Sequence, residues 1–212
     1  MANWTTGTRS CAAAIFMYKR DDSVQRVKPE IERINYEQGR VPNGCATDGI
    51  CGEHHTNKAE FAAALREWND NVQPGNAFLC IYAHSDKEGI CPFYEYFDQE
   101  ERKAELITWA ELAQLLKKPV QYLWLLGCTT EAATAIWSPS AGPVSGLLLA
   151  TSAEIKWDEL VRCFEAEISM DPIRAADEVI DFIRTGCPTL SADAHYFKPQ
   201  PHGWVKVPDE LP

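Results

Sequence analysis

Two almost unbroken apolar runs, Phe78 to Ala83 and Val120 to Leu126, constrain this chain more than any other feature in it. A strand with one wet face alternates polar and apolar residues, whereas a run of six or seven without alternation marks a strand buried on both faces. Between the two runs, Thr108 and Glu111 form a capping-box pair. Trp109, Leu112, Leu115 and Leu116 then make the apolar stripe of a short helix closed by Pro119. Strand, helix and strand in that order predict a right-handed crossover within a mostly parallel sheet covered on both faces.

The remaining pattern extends the same plan. Ala12 to Tyr18 reads as a strand, Ser23 to Tyr36 as a helix and Gly39 to Glu53 as a long loop. Asn57 followed by Glu60 starts a helix carrying Phe61, Leu65 and Trp68 to about Val72, where Pro74-Gly75 ends it. Gly146 to Thr151 is a further strand. Trp157, Leu160, Val161, Phe164 and Ile168 share a helix face, and a last helix runs from Asp171-Pro172 to Arg184. His195 and His202 lie in a Pro-rich tail without an expected role, held back onto the domain by Tyr196, Phe197 and Trp204. At 212 residues a single α/β domain over 1–212 is expected.

Charge and cysteine content narrow the function. The 31 acidic against 20 basic residues, with no Lys/Arg cluster, argue against nucleic acid or an anionic membrane as partner. They suit a basic protein substrate and ordinary solubility equally. The apolar stretch Cys11 to Tyr18 is too short to cross a bilayer, and eight cysteines in a chain this size read as thiols, so a cytoplasmic protein is expected.

His84 ends the first apolar run and Cys128 follows the second, 44 residues later. In open parallel sheets the reactive crevice lies beyond the carboxyl ends of the strands, near the switch in strand order. A thiol becomes a strong nucleophile as thiolate, and a neighbouring imidazole takes its proton. Either residue alone would be unremarkable, a loop histidine or a buried small hydrophobe; their joint placement singles them out.

These segments, Phe78 to Ile90, Ile107-Thr108-Trp109-Ala110-Glu111-Leu112 and Leu123-Trp124-Leu125-Leu126-Gly127-Cys128-Thr129-Thr130, resemble the caspase-like (clan CD) cysteine peptidases. The likeness is greatest to the CHAT-type members found in prokaryotic defence systems, and it spans residues 76–165. It implies a three-layer α/β/α sandwich and a Cys/His dyad in which Cys128 attacks the scissile carbonyl and His84 protonates the leaving amine. It also implies an oxyanion hole from the backbone N–H groups of Cys128 and Ser85, with no metal or cofactor. The substrate would be a protein, the activating signal a partner protein or a cut in Tyr94 to Glu105 or Ala132 to Pro143, and the setting antiviral defence. Ser85 departs from the glycine usual at its position, and serine resists the backbone angles glycine allows.

Side chains expected to line the substrate pocket are Asp86, Trp137 and Glu154, the carboxylates with Glu88 favouring a basic residue. Cys45, Cys51, His54 and His55 are of zinc-binding type, but their spacing matches no standard finger. Two further readings stay open: a catalytically silent caspase-like module that binds a partner, and a flavodoxin-like domain with a coincidental His and Cys.

Overall fold

The computed structural model describes residues 10–18, 29, 53–72, 77–93, 98–152 and 194–207. Its centre is the pair expected from the apolar runs. Strand β3, Ala77–Ser85, lies parallel to β6, Val120–Leu126, in register from Phe78 opposite Tyr122 to Tyr82 opposite Leu126. Strand β1, Ser10–Phe16, flanks β3 on the other side, and β7, Val144–Thr151, flanks β6, all four parallel. Outside β1 lies the short β2, Glu53–His55; outside β7 lie β8, Ala194–Gln200, and β9, Gly203–Lys206, both antiparallel to their neighbours. The order is therefore β2-β1-β3-β6-β7-β8-β9. Strand β4, Gly89–Cys91, folds back on the end of β3 and pairs with β5, Ile107–Thr108.

Helices form where capping and periodicity coincide. Helix α1, Lys58–Asn71, starts at Asn57, whose Oδ1 accepts the Glu60 N–H at 2.9 Å, and buries Phe61, Leu65 and Trp68. Helix α2, Gln99–Glu105, is capped by Asp98 and buries nothing. Helix α3, Trp109–Leu115, has the full capping box of Thr108 and Glu111 and turns Trp109, Leu112 and Leu115 inward. A 3-10 turn, Thr130–Ala132, runs into α4, Ala133–Ile136. Asn69 of α1 is buried yet satisfied: its amide donates to the Lys118 carbonyl at 2.8 Å and accepts from the Lys118 N–H at 2.9 Å, tying α1 to the turn that enters β6.

The sheet is dry on both faces. Leu79, Ile81, Ala83, Leu123, Leu125, Leu148 and Ala150 pack with the inward residues of α1 and α3 in one core. On the opposite face Phe78, Tyr82, Tyr122, Trp124, Leu147 and Leu149 are each no more than 1% exposed, with Phe78 edge-on to Trp124 at 5.1 Å. At roughly 2–3 kcal/mol per fully buried large side chain, this two-sided burial holds the central strands together.

The structure alters the expected plan at two places. The Pro-rich segment is a β-hairpin that extends the sheet. Pro199 is tolerated because it lies at a position not hydrogen-bonded to β9 and beyond Phe197, the last residue paired with β7. Glu53, expected to close a loop, instead opens β2. Of the helix expected at 23–36 only Pro29 is described, and it is helical; the helices expected at 157–168 and 171–184, and the loop expected before residue 53, lie outside the described residues. No helix among the described residues is long and apolar enough to cross a membrane.

Candidate active site

The β3–β6 register carries directly to the two residues of interest. Two positions beyond the last registered pair, Tyr82 opposite Leu126, stand His84, still within β3, and Cys128, in the turn just after β6. Both are partly exposed, whereas Cys80 and Cys91 are fully buried thiols. Burial raises the Cys91 pKa, outweighing the Phe93 N–H and the Arg102 charge that lower it, so Cys91 stays protonated at neutral pH. Alternation along β3 places His84 on the face of Phe78 and Tyr82, away from Ala83.

The strand ends touch. The Ser85 hydroxyl donates to the Cys128 carbonyl at 2.6 Å. A Cβ at Gly127 would lie 2.3 Å from the Ala83 carbonyl and 2.3 Å from Ser85 Oγ, so the close approach of the two ends requires glycine there.

Behind Cys128 is a buried threonine pair that sequence reasoning missed. Thr130 Oγ1 donates to the Leu125 carbonyl at 3.0 Å and accepts the Thr151 N–H at 2.8 Å. The two hydroxyls are 3.0 Å apart, and Thr151 Oγ1 donates to the Gly127 carbonyl. With Thr130 and Thr151 at most 1% exposed, these bonds lie in dry surroundings and clamp the turn bearing Cys128 to the end of β7. Thr129, between Cys128 and this clamp, has φ of 51°, the one positive φ among the described non-glycine residues. A β-branched residue pays strain in that region, so the surrounding bonds must enforce the turn. The only sequence hint was two threonines after the cysteine and one at the end of β7.

Other expected site residues fare differently. Ser85 stays an extended strand residue, so the backbone angles feared for a non-glycine are not demanded of it. Asp86 is engaged within the chain: Arg102 pairs with its carboxylate, and its Oδ1 accepts the Glu88 N–H at 2.6 Å and the Gly89 N–H at 3.2 Å. Burial alone would raise the Asp86 pKa, but the Arg102 bond, those N–H groups and the Arg102 charge bring it below the ordinary range. Its first role is therefore to fix the β3–β4 turn.

Trp137 does not line an open cleft, a correction to the expectation. It is 3% exposed, donates from Nε1 to the Trp109 carbonyl at 2.6 Å, packs edge-on against Trp109, and accepts at its carbonyl from Trp204 Nε1 at 2.8 Å. A large ring at the C-cap of a short helix gains more by filling the core than by facing water. Glu154, Cys45 and Cys51 lie outside the described residues. His54 and His55, adjacent on β2, take opposite faces; His54 Nε2 meets the Met17 carbonyl at 2.7 Å and the His55 ring meets Phe61.

The switch in strand order falls between β1 and β3, one strand from the expected place. That crevice is bridged by the Tyr18 N–H on the Pro92 carbonyl at 2.7 Å and by Tyr18 against Phe93. The partly exposed pair thus sits at β3 and β6 instead. His195, given no role from sequence, lies on β8 with Nδ1 2.8 Å from Glu131 Oε1 and Nε2 3.4 Å from Ser152 Oγ.

Among solved structures, the chain is similar to a secreted C11 cysteine protease from Bacteroides thetaiotaomicron in complex with an irreversible peptide inhibitor, at a TM-score of 0.52 and 8% identity, over 91% of this chain and 67% of that one. No family model and no curated protein matches the chain in sequence. At that identity the likeness is one of architecture, and the fold is α/β with a mostly parallel central sheet flanked by helices, as in the caspase-like C11 protease.

Proposed function

We propose that this chain is a cysteine endopeptidase that cleaves a protein substrate, with Cys128 as nucleophile and His84 as proton carrier. The observation that supports the reading is the β3–β6 register, whose last pair, Tyr82 opposite Leu126, stands two residues before the partly exposed His84 and Cys128. In this reading His84 takes the thiol proton, Cys128 Sγ bonds to the scissile carbonyl carbon, and the proton passes to the leaving amine. Water then hydrolyses the thioester.

The N–H groups of Cys128 and Ser85 serve the developing oxyanion. The Asp86 N–H bonds Gly89 across the β3–β4 turn at 3.0 Å, so Ser85 opposite Ile90 is a non-hydrogen-bonded position. Its N–H is thereby directed away from β4, to the side of β6. The fold likeness to a C11 protease supports the same class of reaction.

A second reading, a silent module that binds a partner, is favoured by the Ser85 hydroxyl filling the space beside Cys128. A reducing compartment fits the thiols Cys80, Cys91 and Cys128. A CHAT-type assignment and a role in antiviral defence rest on the resemblance of the sequence alone. For activation by cutting, the exposed α2 is the better site, because a cut near Trp137 would open the core.

The test is labelling by an electrophilic peptide probe, with peptide mapping. Labelling of wild type at Cys128, lost in Cys128→Ala and reduced at least about 10²-fold in His84→Gln, supports the peptidase. A folded wild type that takes no label, across a library of peptide sequences, supports the silent module.

A further inference from the structure

Glu131, Ser152 and His195 come from three separate parts of the chain and meet at the carboxyl edge of the sheet. Glu131 is in the 3-10 turn after β6, Ser152 follows β7, and His195 is in β8, which starts at this edge because Ala194 pairs with Thr151. The imidazole stands between the other two: Nδ1 is 2.8 Å from Glu131 Oε1, and Nε2 is 3.4 Å from Ser152 Oγ. The Nδ1 contact is close but lacks the alignment of a linear hydrogen bond. A carboxylate against Nδ1 favours the tautomer that carries its proton there, leaving Nε2 as a base facing the hydroxyl. Nucleophile, base and orienter are thus in the order that activates a serine, with the looseness usual before substrate binds.

The constellation is separate from the Cys128 pair. Along β7 and β8, Ser152 and His195 fall on the same face as Leu148, Ala150 and Phe197, which belong to the core beneath α1 and α3. His84 is on the opposite face of the sheet, with Phe78 and Tyr82. His195 Nδ1 is buried while Ser152 is exposed, so the base is anchored inward and the nucleophile is accessible.

We infer that Ser152, His195 and Glu131 form a second acyl-transfer centre, which hydrolyses small activated esters through an acyl-serine. Ser152 Oγ bonds to the ester carbonyl carbon as its proton passes to His195 Nε2. The bond from that carbon to the leaving oxygen then breaks, and His195 returns the proton to the alcohol. Water repeats the sequence on the acyl-serine, giving a carboxylic acid and restoring Ser152. Activated esters are the suitable class because an aryl alcohol leaves readily, so an open site suffices.

The test uses full-length Cys128→Ala protein, so that no signal comes from the cysteine centre. It is treated with a fluorophosphonate, which phosphonylates activated serines, and assayed with p-nitrophenyl acetate. The expected result is an adduct mapped to Ser152, and esterase activity that falls at least about 10²-fold on adding Ser152→Ala, with losses also in His195→Gln and Glu131→Gln. Circular dichroism identifies any variant that fails to fold; Ser152→Ala, at an exposed position, is the decisive one. A folded protein with no adduct at Ser152, or with ester hydrolysis unchanged by Ser152→Ala, overturns the inference and leaves the peptidase reading untouched.

Discussion

Replacing Thr151 by valine keeps the shape of the side chain and removes one hydroxyl. That hydroxyl donates to the Gly127 carbonyl and lies 3.0 Å from Thr130 Oγ1, at a site with 0% exposure. One donated hydrogen bond at about 1 kcal/mol, plus roughly 1–2 kcal/mol for a carbonyl left dry and without a donor, give a loss of about 2–3 kcal/mol. For a chain of this size that lowers Tm by roughly 4–12 °C. Because the same bonds hold the turn at Cys128, a displacement of about 1 Å there slows reaction with an electrophilic peptide probe by about 10-fold or more. Urea unfolding and labelling rate read the two effects separately. Thr151→Ser, which keeps the hydroxyl, should lose stability by about 1 kcal/mol for the missing methyl yet label near the wild-type rate. If Thr151→Val costs under about 0.5 kcal/mol and labels like wild type, the clamp has no role in positioning Cys128.

Gly127→Ala forces a methyl against the Ala83 carbonyl, so it should destabilise by about 2 kcal/mol or more and abolish labelling of Cys128. Adding Ser85→Gly should not restore either property, since the Ala83 clash remains, and full recovery would show that only the serine was in the way. The pH dependence follows from two carboxylates. The Lys58 hydrogen bond lowers the Glu111 pKa most, against some desolvation and with help from Thr108, and Asp86 is lowered by Arg102 and the turn N–H groups against its burial. A carboxylate whose pKa is lower in the folded state contributes stability that is complete above its unfolded pKa and is lost as pH falls through the folded one. The urea midpoint should therefore hold from neutrality to about pH 5 and fall below about pH 4, less steeply in Asp86→Asn. An equal slope in wild type and Asp86→Asn would remove Asp86 from the account.

Much of the architecture was legible because local rules and tertiary demands agree along it. The N-caps at Asn57 and Thr108 start helices by satisfying backbone N–H groups, which needs no knowledge of the rest of the chain. The run Val120 to Leu126 has no polar stripe to offer water, so it is a central strand wherever the sheet lies. By contrast β4 and β5, of three and two residues, carry too little pattern to be read, and β8 was hidden by prolines whose cost depends on register.

The sequence by itself determined that two strands buried on both faces would stop close to His84 and Cys128, because near-continuous apolarity tells where a strand lies and a change in residue type where it runs out. Tertiary structure alone decided what surrounds those ends. Trp137 went to the core, Thr130 and Thr151 met across 21 residues, and His195 came to rest between Glu131 and Ser152. Hydrogen bonds between distant residues depend on strand order and register, and periodicity along one segment carries no record of its neighbour.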